Sequence, residues 1–460
     1  MVGMTMKRSN YPGFRFVHRE GGIEEYELRA NGLQVLLLED DSTPTATSMV
    51  VFRVGSKHEK TGYTGATHIL EHMLFKETKN YNKKKGTAID FLFEKTGASP
   101  NATTSMDRTN YYETLPSIHL PQSIEIDADR MRGAILRERD LQTEMTVVRN
   151  EYEQGENDPI DVLYKGLWAT SYTVHPYRHP TIGWREDIEA ITVERLKHFY
   201  DTYYWPNNAT LIVVGNFDKG PLLALVRSHF GRHARSLHAI PTVLEIEPRQ
   251  DGMRRFEVRR ESGTDTIVMG FRAPKALARE AMPLSIGMQI LAGGENSRLY
   301  HALVERGLAR SVFWFDAMGA DPGLVMIFAI PMPLVSHARI ESIIKRECKR
   351  LAQEGVSAAE LARVKKGQVA AYYLGRDGSY ATASALGEMA ALSNWQYFVK
   401  YPNLIESVKG AAVREAARAY LDENSLTIGY YYAQKTVNKT MGNKQTKGRA
   451  KSRSRKMKMA

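Results

Sequence analysis

The sequence predicts an α+β protein of two similar domains, each an antiparallel-rich mixed sheet with helices packed on one face. The length of 460 residues exceeds what one ordinary hydrophobic core holds. Strand-like and helix-like runs follow one another in a similar order in the two halves, which indicates an internal duplication. Between the halves, residues 232–252 mix Pro, Arg, Glu and His with little periodicity, which is typical of a linker.

These observations divide the chain into five segments: a polar leader (1–22), a first domain (23–232), a linker (233–252), a second domain (253–433) and a basic tail (434–460). The net charge of +11 comes mostly from the tail, because ten Lys and Arg and no Asp or Glu follow from Lys435 onward. The remainder therefore carries about +1. We expect the tail to be disordered and solvated, and the folded part not to bind nucleic acid.

In the first half, Asn31-Gly32 between two apolar runs predicts a β-hairpin over residues 24–38. The other predicted elements are a strand at 45–54, a loop at 55–65, a motif-bearing helix around 66–76, a helix at 83–95, an edge strand at 97–112, helices at 122–137, 140–154 and 188–203, and a strand at 209–215. The second half repeats this order with strands at 254–259 and 265–271 and a helix at 283–292.

The motif-bearing helix contains the order His-x-x-Glu-His, as His68, Glu71 and His72. Residues four apart share one face of a helix, so the two imidazoles can point at one metal ion, with Glu71 beside them. This order is the reverse of H-E-x-x-H and is the inverzincin pattern. Cys348 is the only cysteine, so a metal has to be held by His and carboxylate groups, a ligand set that suits Zn²⁺.

A catalytic zinc site needs a third protein ligand, and the helix at 140–154 offers candidates. Glu144 and Glu151 lie seven residues apart, two turns along one helix face. Spacing alone does not exclude three nearby acids: Glu153, Glu156 and Asp158.

The polar, Thr- and Tyr-rich segment 97–112 contains Asn101 and Ala102. An edge strand presents unpaired N–H and C=O groups that can pair with an extended peptide. A merely solvated edge is the alternative.

No apolar run reaches the ~20 residues of a membrane helix, and no signal-peptide core follows the basic residues near the start. The absence of a visible signal peptide favours a cytoplasmic protein, and a periplasmic one is the alternative if a leader is missing.

Taken together, residues 20–433 resemble the pitrilysin/insulinase superfamily of zinc peptidases. The segments that carry the resemblance are Val54-Gly55-Ser56, His68 to Lys76, Asn101-Ala102-Thr103, Glu144 through Glu151, His175-Pro176-Tyr177, Pro206 to Leu211 and Ser297-Arg298-Leu299-Tyr300. The resemblance implies a half-clamshell with zinc held by His68, His72 and Glu151 and with Glu71 as general base. It also implies a supporting role for Glu144 and substrate-backbone binding at Asn101 and Ala102.

The resemblance fails at one stretch of the second half. Many relatives carry an Arg and a Tyr there that grip the substrate, whereas the corresponding positions are Val304 and Arg310. Because family peptidases of this length are half-clamshells, we expect a hetero-oligomer in which a related, zinc-less subunit supplies the Arg and Tyr. A homodimer is the alternative.

The predicted function is therefore zinc-dependent metalloendopeptidase activity on extended peptides. The alternative is a non-catalytic core subunit of an assembly that retains the fold, although a scaffold does not need the complete His-x-x-Glu-His set.

Overall fold

The computed structural model describes residues 11–433, so the predicted basic tail lies outside the described residues. Seven strands form the first sheet, in the order β1-β2-β3-β7-β4-β6-β5. They are β1 (Phe14–Glu20), β2 (Ile23–Leu28), β3 (Leu33–Glu39), β4 (Thr45–Phe52), β5 (Ser99–Thr104), β6 (Thr109–Pro116) and β7 (Ala209–Gly215).

The predicted hairpin is present, with Leu28 paired with Leu33 across the turn at Asn31 and Gly32. Gly32 has a φ of +80°, the left-handed conformation that such a turn requires. The predicted polar leader differs from the structure, because β1 lies inside it and pairs with β2. Phe14 is the only fully buried residue of β1, so this edge strand lacks the alternating apolar pattern that reveals a strand in a sequence.

Five strands form the second sheet, in the order β10-β11-β9-β12-β8. They are β8 (Arg254–Arg260), β9 (Thr266–Arg272), β10 (Ala309–Ala317), β11 (Leu324–Pro331) and β12 (Leu426–Ala433). In each half a parallel pair, β3 with β7 and β8 with β12, is followed by three antiparallel pairings in the same order. The two domains therefore share one topology, which confirms the predicted α+β duplication.

Eight helices belong to the first half and six to the second within the described range. They are α1 (Ala66–Met73), α2 (Ile89–Thr96), α3 (Leu120–Gly133), α4 (Glu138–Glu156), α5 (Pro159–Ser171), α6 (Arg185–Glu189), α7 (Val193–Tyr203), α8 (Lys219–Phe230), α9 (Ala281–Ala292), α10 (His337–Glu354), α11 (Ala358–Leu374), α12 (Gly378–Ala391), α13 (Gln396–Ser407) and α14 (Gly410–Tyr420). A single π-helical turn spans Tyr300–Val304.

Two predicted helices are shorter than expected. The helix predicted at 188–203 is divided into α6 and α7, because Thr192 begins α7 by accepting the N–H of Arg195 at 3.4 Å on its side-chain oxygen. The helix predicted at 83–95 begins only at Ile89. No helix within residues 11–433 has the length and hydropathy needed to cross a membrane.

Each sheet packs against its own helices on one face, as predicted, and against a helix of the other half on the opposite face. On the first sheet, Met49 and Ile212 form one core with Leu386 of α12. The helix approaches closely at Gly387, where a Cβ atom would lie 2.9 Å from the Met49 sulfur. On the second sheet, Leu167 of α5 packs in a core with Phe328.

Polar contacts also join the two halves. The Lys57 ammonium lies 2.7 Å from Asp107 in the first half and 3.0 Å from Asp321 in the second half. The Tyr177 hydroxyl donates to Asp107 at 2.8 Å and accepts the N–H of Asp321 at 3.2 Å. The two domains are therefore held together by buried apolar surface and by a shared ion-pair network.

Candidate metal centre

Helix α1 holds the His-x-x-Glu-His residues against the first core. Ile69, Leu70 and Met73 are buried in that core. The other face of the helix, which carries the two histidines, therefore points away from the core and toward α4. Glu59 lies at the start of the helix, where its carboxylate accepts hydrogen bonds from the N–H groups of Gly65 at 2.8 Å and Thr67 at 2.7 Å. A buried carboxylate on these otherwise unpaired N–H groups fixes the first turn.

The structure brings His68, His72 and Glu151 together. The Nε2 atoms of the two histidines are 3.4 Å apart, and Glu151 Oε2 lies 3.5 Å from His68 Nε2 and 3.6 Å from His72 Nε2. The three residues form a group that could hold a metal ion. Glu151 reaches the site from α4, so the three atoms come from two helices that are distant in sequence.

The size and chemistry of this triangle fit zinc. Tetrahedral zinc with ligands at about 2.0–2.1 Å separates its ligand atoms by about 3.3 Å, close to the three spacings observed. Burial, and then the neighbouring His72, lower the pKa of His68 to about 4, so its ring is neutral and can donate a lone pair at pH 7. Two imidazoles and one carboxylate are also a ligand set of catalytic zinc sites.

Glu144 lies on the far side of the His72 ring. Its Oε2 atom is 3.2 Å from His72 Nδ1, and its other oxygen pairs with the Lys76 ammonium. A proton on Nδ1 that is donated to Glu144 leaves the Nε2 lone pair free for a metal. Glu144 therefore occupies the position of a carboxylate that orients a metal-binding histidine.

Glu71 lies beside the triangle, and burial raises the pKa of its carboxyl group above the usual range. Its Oε2 atom accepts a hydrogen bond from the Thr104 hydroxyl at the end of β5. No sequence pattern predicts a role for Thr104. A threonine in a Thr-rich edge strand carries no spacing signal toward a helix more than thirty residues earlier.

The three competing acids do not reach the histidines. Glu156 pairs with Lys165 at 2.6 Å and with Arg260 at 3.1 Å. Asp158 caps α5 by accepting the N–H of Ile160 at 2.7 Å. The side chain of Glu153 is 60% exposed and lies 3.7 Å from Arg185 on α6. Of Glu151 and these three acids, Glu151 is therefore the one placed against the histidines.

Strand β5 lies at the edge of the described sheet next to α1. The Ser105 N–H donates to the Arg108 carbonyl at 2.8 Å. Hydrogen-bonded pairs alternate with non-bonded pairs in an antiparallel ladder, so the pair of Ala102 and Tyr111 exchanges no backbone bond. The Ala102 N–H therefore points away from β6, and it donates to the side-chain oxygen of Asn101 at 2.8 Å.

Helix α12 of the second half braces this edge. Glu388 accepts a hydrogen bond from Arg108 Nε at 2.9 Å, while Arg108 Nη1 donates to the Thr103 carbonyl at 2.9 Å. The Tyr380 hydroxyl donates to the Tyr112 hydroxyl on β6 at 3.1 Å. Helix α12 thus contacts β6 directly, and it reaches β5 only through Arg108 in the turn between the two strands.

The second half lacks a matching polar pair at the positions discussed above. Val304 lies partly buried at the end of the π-helical turn, packed against the second core. Arg310 is exposed on β10, the edge strand of the second sheet.

Two family profiles match this chain. Residues 34–184 match the family profile described as insulinase (peptidase family M16), and residues 190–368 match the one described as peptidase M16 inactive domain. An uncharacterized zinc protease of Mycobacterium leprae is 30% identical over 361 residues, covering 77% of this chain and 80% of the relative. The chain therefore belongs to the M16, or pitrilysin/insulinase, family of peptidases.

Other relatives carry related names. The zinc protease PqqE of Helicobacter pylori is 29% identical, covering 86% of this chain and 90% of that protein. The beta subunit of the bovine mitochondrial-processing peptidase is 28% identical, covering 86% and 82% of the two chains.

Solved structures show the same fold. A protease from Helicobacter pylori superposes with a TM-score of 0.84 at 28% identity, covering 89% of this chain and 99% of that chain. The periplasmic protease PqqL of Escherichia coli superposes with a TM-score of 0.71 at 17% identity. This match covers 91% of the present chain but only 48% of PqqL.

Proposed function

We propose that this chain is a zinc-dependent metalloendopeptidase that cleaves extended peptides. The observation that carries the proposal is the triangle of His68, His72 and Glu151 ligand atoms, 3.4–3.6 Å apart, with Glu71 next to it. Membership of a peptidase family supports the reaction class.

Each residue of the site has its own role in the proposed reaction. His68, His72 and Glu151 would hold the ion, which when bound supplies the Lewis acidity that lowers the pKa of water to about 7 and polarises the scissile carbonyl. Glu71 takes a proton from the attacking water and returns it to the departing amine. Burial raises the pKa of its carboxyl group, which makes Glu71 a better proton acceptor than an exposed glutamate.

Glu144 and the β5 edge serve the same reaction in different ways. Glu144 would hold the His72 ring in the orientation in which Nε2 faces His68 and Glu151. The outward N–H of Ala102 and the neighbouring Asn101 would pair with the backbone of an extended substrate, as an added strand does. Recognition through the substrate backbone favours unfolded peptides over folded proteins.

The experiment is a metal-dependence assay. We expect purified protein to contain about one zinc per chain, to cleave an unstructured peptide mixture, to lose cleavage after dialysis against a chelator and to regain it with zinc but not with magnesium. A chain that contains zinc but cleaves nothing, alone or with its partner, would favour the alternative of a non-catalytic core subunit.

We further propose that this chain is one half of a two-subunit clamshell. It matches about half of the PqqL chain and 94% of the structure described as the first half of PqqL, which supports the size of a half. Val304 and Arg310 stand where relatives carry the Arg and Tyr, so a related zinc-less subunit would supply that pair. Co-purification from the native host should recover an equimolar partner of similar size; recovery of a homodimer with full activity would contradict the proposal.

A further inference from the structure

Glu59 has a fully buried side chain, and the proposed reaction assigns no role to it. Both of its carboxylate oxygens accept backbone N–H groups at the start of α1. Oε2 accepts the N–H of Gly65 at 2.8 Å, and Oε1 accepts the N–H of Thr67 at 2.7 Å. Because a carboxylate removed from water is costly without such bonds, this pair of bonds favours one arrangement of Glu59 and the first turn of α1.

The start of α1 has no cap of its own. Its N-cap residue is Gly65, which has a φ of +87° and no side-chain oxygen to offer to the first turn. A Cβ atom at this position would lie 2.5 Å from the Ile182 carbonyl oxygen, so a capping side chain does not fit there. Glu59 therefore supplies, from outside the helix, the acceptors that a capping residue normally provides.

His68 depends on this first turn more than His72 does. His68 is the third residue of α1, whereas His72 lies in its last turn. The Nδ1 atom of His72 is 3.2 Å from Glu144, but within residues 11–433 the Nδ1 atom of His68 is buried without a hydrogen-bond partner. A metal-binding histidine normally has a second partner that fixes its ring. Without one, the backbone of the first turn determines where His68 Nε2 lies.

We propose that Glu59 is a positioning residue for His68. This inference rests on the proposed function, in which His68 is a zinc ligand. Glu59 holds the N–H of Thr67, the residue before His68, and His68 Nε2 lies 3.5 Å from Glu151 Oε2 on α4. Because the first turn and Glu151 belong to different helices, a displaced first turn changes the spacing of the ligand atoms and weakens both zinc binding and catalysis.

The test replaces Glu59 by side chains of similar length that have fewer acceptors. Glu59→Gln keeps one acceptor oxygen, and Glu59→Met has only a weakly accepting sulfur. We expect zinc affinity, measured by competition with a fluorescent chelator, to fall from wild type to Glu59→Gln to Glu59→Met, by about tenfold or more in the last. For cleavage of an unstructured peptide, kcat should fall in the same order while KM stays within about twofold, because the β5 edge is unchanged.

Asp187→Asn is the matched control. Asp187 accepts the N–H groups of Gly62 at 3.2 Å and Thr64 at 3.1 Å, so it holds the loop before α1 but binds neither of the N–H groups that Glu59 accepts. This variant should lose thermal stability but keep the zinc affinity and kcat of the wild type.

Equal zinc affinity in wild type, Glu59→Gln and Glu59→Met would overturn the proposal, as would the same loss of affinity in Asp187→Asn. If Glu59→Met does not fold, the comparison of Glu59→Gln with Asp187→Asn decides, since each exchanges one carboxylate oxygen for an amide group. The zinc measurements also separate this proposal from the peptidase function. Wild-type protein that binds zinc but cleaves nothing would contradict the peptidase, and the order of zinc affinities would still support or overturn the role of Glu59.

Discussion

Glu144 Oε2 lies 3.2 Å from His72 Nδ1, while His72 Nε2 faces Glu151. One imidazole is thus held between two carboxylates of the same helix, seven residues apart. Partners of this kind fix the tautomer and orientation of a metal-binding histidine.

We therefore expect Glu144→Gln to weaken zinc binding by about 10–100-fold, because the amide keeps the shape of the carboxylate but loses its charge. Competition with a fluorescent zinc chelator measures the affinity. Glu153→Gln is the matched control, since this residue lies on the same helix but is 60% exposed and away from the histidines. Equal zinc affinity in the two variants would show that Glu144 has no orienting role.

Glu71→Gln should retain zinc and the thermal stability of the wild type but lose cleavage by a factor of about 10² or more. The amide cannot accept the proton of the attacking water, while the three ligand atoms are untouched. His68→Ala should lose both zinc and cleavage. Metal content by elemental analysis and peptide hydrolysis distinguish the variants, and full activity of Glu71→Gln would remove Glu71 from its assigned role.

Ala102→Pro should reduce kcat/KM by about tenfold, the effect of about one lost hydrogen bond. Because Ala102 is buried in the first core, the thermal stability of each variant is measured beside its activity. Proline removes the N–H that points to the open edge and leaves the ladder with β6 intact, which edge strands tolerate. Ala102→Ser keeps the N–H and is the control. If the two variants cleave an unstructured peptide equally well, the backbone of β5 does not bind substrate through this group.

Arg130→Met should lower the free energy of unfolding by about 3–5 kcal/mol. Arg130 is buried 2.9 Å from Glu113 and 3.7 Å from Asp127, so its removal leaves two uncompensated carboxyl groups in the first core. Arg15→Met breaks an exposed pair with Glu27 and should cost less than about 1 kcal/mol. Urea unfolding measures both, and similar losses would contradict the difference between buried and exposed pairs.

The sequence predicts the helices, strands and turns that depend on local periodicity. The helix of His68 and His72, the hairpin at Asn31 and most strands of the first half follow from spacing and turn residues. Only the family resemblance predicts that Glu151 lies beside the histidines. Spacing alone does not distinguish Glu151 from Glu153, Glu156 and Asp158 as the third ligand. The contact between Thr104 and Glu71 depends on how β5 packs beside α1, which no local pattern records.

The positions of α5 and α12 are a second feature that local sequence patterns do not predict. A run such as 378–391, rich in Ala and Gly, does not indicate which sheet it will cover. It covers the sheet of the other half, where Leu386 packs with Met49 and Ile212 and where Gly387 lies close to the Met49 sulfur. Such pairings depend on tertiary complementarity and not on propensity.

The exchange of α5 and α12 means that neither half of this chain is a complete folding unit. A fragment of the first domain cut at the linker would expose one side of its sheet to water and would lose the contacts that α12 makes with its edge hairpin. The second half is therefore needed to complete the fold of the first, even if it never touches a substrate. A single-domain version of this chain would therefore need an added segment that covers the first sheet as α12 does.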